Sequence, residues 1–127
     1  MEGYFHVWFS TKGRKAVLEG DLDDEVKASV RQAADRSGIS LVEMETAYDH
    51  MHLLLRLRGK QTLASAMHRV KGASARAAFV WEPELAIDFP DRHFWQRSYG
   101  WRRVPNDQAA AVRRYIRAQP DRPYRQL

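Results

Sequence analysis

The stretch His50–Arg58 constrains this chain more than any other. In an extended strand Met51, Leu53, Leu55 and Leu57 fall on one side, and His50, His52, Leu54, Arg56 and Arg58 on the other. The first side is wholly apolar and must face a core. The second, Leu54 apart, is made of imidazoles and guanidiniums. Such a strand needs a sheet packed on one face and open on the other.

The flanking sequence supplies that sheet. Phe5–Ser10 alternates Phe5, Val7 and Phe9 against His6, Trp8 and Ser10 and reads as a strand. Asp21 or Asp23 caps a helix that runs to Ser37, repeats Val26, Val30 and Ala33 at helical spacing, and stops at Gly38. Ser40–Ala47 is a second strand, and Tyr48-Asp49 is a short hairpin connection into the third, His50–Arg58. Thr62 caps a second helix with Leu63, Ala66, Met67, Val70, Ala73 and Ala77 on one face. Pro83 and Pro90 bound an irregular stretch, and Phe94–Val104 supplies one or two short strands. A last helix, capped by Asn106, runs from Asp107 to Gln119 and is ended by Pro120.

The order is β-α-β-β-α-β with an added C-terminal helix. That predicts an α+β, ferredoxin-like fold: an antiparallel sheet, two helices on one face, and the last helix lying over part of the other. At 127 residues the chain forms one domain, 1–127. No apolar run approaches the roughly 20 residues that span a bilayer, so no membrane partner is expected. Absence of cysteine excludes disulfides and thiolate metal sites. The opening residues lack the features of a secretion signal, so a cytoplasmic location is the expectation.

Charge is distributed unevenly. Residues 92–127 hold nine arginines and two aspartates, against 12 Lys+Arg and 14 Asp+Glu in the rest. Phe94, Trp95, Tyr99, Trp101, Tyr115 and Tyr124 are interleaved with those arginines. Guanidiniums pair with phosphates and aromatic faces stack on bases, so this end suits single-stranded nucleic acid. A merely solvated Arg-rich end fits the composition too.

Two constellations carry chemistry. His50 and His52 project from one strand face, as a metal-ligand pair does; two half-exposed histidines on a polar sheet face give the same pattern. Tyr115 and Gln119 lie four residues apart, on one face of the last helix, flanked by Val112 and Ile116. A lone tyrosine is commonly a packed aromatic, but an amide in the final turn needs partners, and its carbonyl suits a hard cation. Tyr99 reads as a structural or base-stacking residue on a strand, His68 as a packing or surface residue, and His6 and His93 as standing alone.

Read together, these segments resemble the HUH-type single-tyrosine transposases, the insertion-sequence 200/605-like family with its REP-associated relatives. The resemblance rests on His50-Met51-His52 followed by Leu53-Leu54-Leu55, and on Tyr115-Ile116-Arg117-Ala118-Gln119. It extends to His6-Val7-Trp8-Phe9-Ser10-Thr11-Lys12, Lys71-Gly72-Ala73-Ser74-Ala75-Arg76 and Phe94-Trp95-Gln96-Arg97-Ser98-Tyr99, in order along nearly the whole chain. Ala75 stands where the family has a second serine, and Pro120 opens a short Arg-rich tail.

The resemblance implies a DNA transposase. Tyr115 would attack a scissile phosphate, giving a 5′-phosphotyrosine link and a free 3′-hydroxyl. His50, His52 and Gln119 would hold Mg2+ or Mn2+. Arg56, Arg58, Lys71, Arg97, Arg102, Arg103 and Arg113 are the candidate DNA contacts. The implied partners are single-stranded, hairpin-bearing element ends and a second copy of the chain, in a homodimer. Alternatives are a domesticated hairpin binder that does not cut, and a related nickase acting on palindromic repeats.

Overall fold

Four antiparallel strands pair in the order β2-β3-β1-β4. They are β1 (Gly3–Ser10), β2 (Ser40–Ala47), β3 (His50–Leu57) and β4 (Gly100–Val104). The helices are α1 (Gly20–Arg36), α2 (Leu63–Trp81), the single turn α3 (Leu85–Asp88) and α4 (Ala109–Arg117). The structure is a computed structural model and describes residues 2–119. Pro120 and Tyr124 lie outside the described residues. The connectivity is that of the ferredoxin-like fold expected from the element order.

The alternation in β3 does what the sequence requires. Met51, Leu53, Leu55 and Leu57 join Phe5, Val7 and Phe9 of β1 and the inward faces of α1 and α2 in the main core. On the other sheet face Leu54 packs with Val104, Val112 and Ile116 in a second, smaller cluster that seats α4. Its placement decides where Tyr115 goes. Burying Val112 and Ile116 contributes about 1.5–3 kcal/mol per side chain. Beside them Glu43 of β2 accepts hydrogen bonds from Arg113 Nε at 3.1 Å and Arg117 Nη2 at 3.0 Å. Those arginines are half-exposed or more, and such pairs contribute only about 0–1 kcal/mol. The apolar pair therefore anchors α4, and Glu43 sets its rotation.

Burial alone pushes the Glu43 carboxyl up. The hydrogen bonds from Arg113, Arg117 and the Met44 N–H, with the charge of Arg117, outweigh this and hold it below the ordinary glutamate value. A depressed carboxylate stabilises the fold above its unfolded pKa, and that contribution is lost as pH falls through the folded value. Wild type is therefore expected to melt a few degrees above Glu43→Gln at pH 7, and the gap to close in acid, in paired thermal melts.

Local expectations needed adjustment at the helix ends and on two faces. The N-cap of α1 is Glu19, with no side-chain cap bond. Asp23 instead accepts a hydrogen bond from Thr46 at 2.6 Å and pairs with Lys27. Ala34 is buried where Ala33 was expected. In α2 Thr62 does cap, accepting from the Ser65 N–H. Its far half buries Ser74 and Ala78 instead of Ala73 and Ala77. The Ser74 hydroxyl explains this shift: it donates to the Val70 carbonyl and accepts from the buried Trp95 indole at 2.9 Å. Asn106 opens a 3-10 turn ahead of α4 and does not cap it. Strand β3 ends one residue early, at Leu57.

Candidate active site

The two-residue turn between β2 and β3 sets the first histidine. Its backbone is clamped from outside, with Thr11 N–H donating to Asp49 O at 2.9 Å and Leu18 N–H to Tyr48 O at 2.8 Å. Asp49 is thereby driven inward and is 1% exposed. Its carboxylate accepts from His50 Nδ1 at 3.0 Å and from Arg14 Nε at 3.1 Å. An ionised carboxylate only accepts, so His50 carries its proton on Nδ1 and turns the Nε2 lone pair the other way.

The second histidine is set by sheet register. Antiparallel pairing of β1 and β3 puts Trp8 opposite His52 and His6 opposite Leu54, while β4 puts Arg102 opposite His6 and Gly100 opposite Trp8. A Cβ at Gly100 would lie 2.2 Å from the Trp8 indole, so only glycine leaves that ring its place beside His6. His6 Nε2 lies 2.9 Å from His52 Nδ1, and Arg102 Nε donates to His6 Nδ1 at 3.3 Å. Burial, with His50 and His6 nearby, pushes His52 down to about 3. Burial, with Arg102, pushes His6 down to about 4. Both rings are neutral at physiological pH, the state in which imidazole can ligate a metal.

His50 and His52 are 3% and 4% exposed, contrary to half-exposed histidines on an open sheet face. Their Nε2 atoms are buried and have no hydrogen-bond partner among the described residues. Leaving a buried polar atom unsatisfied costs about 1–3 kcal/mol. A fold that keeps two of them side by side, with ring centroids 5.1 Å apart, has a donor pair ready for a ligand. Among the described residues no three His, Cys, Asp or Glu side chains form a metal-holding group. Among the described residues Gln119 offers a donor of another kind. It is 2% exposed, and its Nε2 donates to the Tyr115 carbonyl at 3.3 Å, so that the amide oxygen is the atom of this side chain suited to a hard cation.

Tyr115, Gln119, His6, His50, His52, Arg14 and Arg102 line one cleft of about 770 Å³. The Tyr115 ring stands 5.9 Å from the His6 ring and 5.9 Å from the His52 ring, close to perpendicular to each. It is 41% exposed, so it meets both the buried histidines and solvent. The cleft therefore joins a phenol, two imidazoles with unused nitrogens, an amide and two guanidiniums.

The other sequence candidates are dispersed. Arg102 lines this cleft; Arg56, Arg58 and Arg97 are exposed elsewhere, Arg56 over the Tyr4 ring at 5.4 Å. Arg103 sits opposite Phe5, on the helix-bearing side of β4, and Arg113 is engaged by Glu43. The Lys71 ammonium is taken up by the carbonyls of Gln96 and Arg97. Tyr99 precedes β4 instead of lying in a strand, and it lines the cleft. His6, read as standing alone, is bonded to His52, and Asp49, read as a turn residue, orients His50. The one sequence signal for His6 was its place on the Trp8 side of β1.

The fold and the sequence are similar to those of known proteins. A solved structure of a candidate transposase from Deinococcus radiodurans R1 superposes with a TM-score of 0.76 at 30% identity, covering 94% of this chain and 92% of the other. A REP-associated tyrosine transposase bound to a REP hairpin shares the fold at a TM-score of 0.71 and 12% identity, covering 95% and 68%. In sequence the chain is 33% identical over 118 residues to the ISDra2 transposase TnpA of Deinococcus radiodurans, covering 93% of this chain and 84% of that protein. It is 27% identical over 95 residues to the transposase for insertion sequence element IS200 of Salmonella typhimurium, which matches over 62% of that protein's length. The IS200-like transposase family model matches residues 1–119. The chain belongs to the IS200-like transposase family.

Proposed function

We propose that this transposase cleaves and rejoins single-stranded DNA through Tyr115, at a divalent metal site made by His50, His52 and Gln119. The observation that carries the proposal is the pair of buried, unpartnered Nε2 atoms in the cleft that Tyr115 also lines. Mg2+ or Mn2+ bound there supplies Lewis-acid polarisation of the scissile phosphate.

The chain's own residues do the rest. Tyr115 Oη attacks phosphorus while the P–O3′ bond breaks, leaving a 5′-phosphotyrosine and a free 3′-hydroxyl. The ester keeps the phosphodiester energy, so a 3′-hydroxyl of another strand reverses the step without ATP. Arg102 and Arg14 face the cleft and suit phosphate oxygens. Asp49 holds His50 in the ligating tautomer. His52 ligates through Nε2 only when its proton sits on Nδ1 and is donated to His6; the long, part-buried Arg102 contact is then the one to yield. Hairpin-bearing element ends are the proposed substrate, supported by the hairpin-bound structure that shares the fold. The homodimer implied by the resemblance belongs to the same proposal.

The test is incubation of the protein with Mn2+ and single strands carrying the DNA ends that flank its gene, followed by denaturing electrophoresis. An SDS-stable protein–DNA adduct is expected. Hairpin binding without an adduct would favour the domesticated binder. Asp49→Asn is expected to weaken Mn2+ binding by about 10–100-fold by titration calorimetry, the usual range for a partner that orients a ligating histidine.

A further inference from the structure

A second cleft, of about 570 Å³, lies between α2 and the segment 92–99. Lys12, His68, Lys71, Arg92, His93 and Arg97 line it, and no Asp or Glu does. The third cleft, of about 830 Å³ beside β2, holds both signs, with Arg31, Asp35 and Glu43 all in its lining. The one-sided charge of the second is thus a local property of that groove.

The second cleft adjoins the candidate active site, with Gln96 and Tyr99 lining both. The ridge between them is fixed. Gln96 N–H donates to Ser10 O and Lys12 N–H to Phe94 O, each at 2.9 Å, and the Lys71 ammonium binds the Gln96 and Arg97 carbonyls from below. Two cations of the groove have work of their own: Lys71 in the ridge, and Lys12 with Asp91. Arg92 and Arg97 are exposed at its rim. Half-buried Tyr99 stands at the junction, with the Lys71 ammonium 5.8 Å from its ring.

We propose that this groove carries the phosphodiester backbone of the single strand that runs from the scissile phosphate, across Tyr99 and past Arg97 and Arg92. The proposal rests on the strand-transfer reading and extends it to the path of the substrate. Charge complementarity and the shared wall with the active-site cleft select the occupant. A polyanion satisfies a groove without carboxylates, and one strand crosses a ridge that a duplex would bridge. The contacts are to phosphates, since Phe94 and Trp95 are buried and offer no stacking face.

The experiment measures fluorescence anisotropy of labelled dT6 and dT20 over a salt series. It compares wild type, Arg92→Glu/Arg97→Glu, the milder Arg97→Gln, and Arg31→Glu in the third cleft. Wild type is expected to prefer dT20. The double variant should bind dT20 about tenfold or more weakly, with the dT20-to-dT6 preference collapsed. Its salt slope should be shallower by about 1.4, because two phosphates are no longer neutralised by arginine. Arg97→Gln should fall between, and Arg31→Glu should match wild type. A folded double variant that keeps the wild-type preference and slope overturns the proposal. So does a wild type that binds both lengths alike, or a blunt hairpin that displaces dT20 as well as unlabelled dT20 does. A Tyr115 adduct in the separate cleavage assay would then leave the strand-transfer reading standing.

Discussion

Tyr115→Phe is expected to abolish the covalent protein–DNA adduct and reduce strand cleavage by at least about 10³-fold, while leaving DNA and metal binding near wild type. The substitution removes one oxygen from a ring that is 41% exposed. The anchor of α4 is elsewhere, in Val112 and Ile116 against Leu54. The helix should therefore stay seated and the ring should keep its place against His6 and His52. Because folding and binding survive, lost cleavage would report the missing nucleophile and not a displaced helix. Thermal melts and dT20 binding on the same preparation make that separation.

His50→Ala and His52→Ala are each expected to remove Mn2+-dependent cleavage, and to weaken Mn2+ binding by more than the 10–100-fold predicted for Asp49→Asn. The physical reason is the orphaned pair of Nε2 atoms. In the wild-type protein a bound cation would satisfy both, and a ligand that binds only the folded state raises its stability by mass action. Saturating Mn2+ should raise the melting temperature of wild type by several degrees. It should leave His50→Ala and His52→Ala within about a degree of their metal-free values. A thermal-shift titration checks this without reference to catalysis. An equal Mn2+ shift in all three proteins would remove the histidines from the metal site.

The sequence carried the parts of this site whose information is local. Alternation in His50–Leu57 assigned each side chain to a face, the Tyr48-Asp49 turn joined the strands, and Thr62 began its helix where expected. Tyr115 and Gln119 were placed together by helical spacing, and the structure keeps them in one cleft. The missing parts depend on long-range pairing. His6 meets His52 across 46 positions through the β1–β3 register, which no short window encodes. Asp49 looked like a turn residue because turns favour aspartate. Its inward position follows from Thr11 and Leu18 clamping that turn from outside. Lys71 looked like a DNA contact because a lysine on a helix reads as solvent-facing until the 94–99 segment is folded over it. The drift from Ala73 and Ala77 to Ser74 and Ala78 has a similar origin. A serine is buried there because Trp95, far along the chain, needs an acceptor.

The most direct test of Tyr115 as nucleophile is proteolysis of the trapped protein–DNA adduct, followed by mass spectrometry of the nucleotide-bearing peptide. A 5′-linked phosphate on Tyr115 is the predicted result. The same phosphate on Tyr48 or Tyr99, or DNA cleaved with no tyrosine modified, would contradict it.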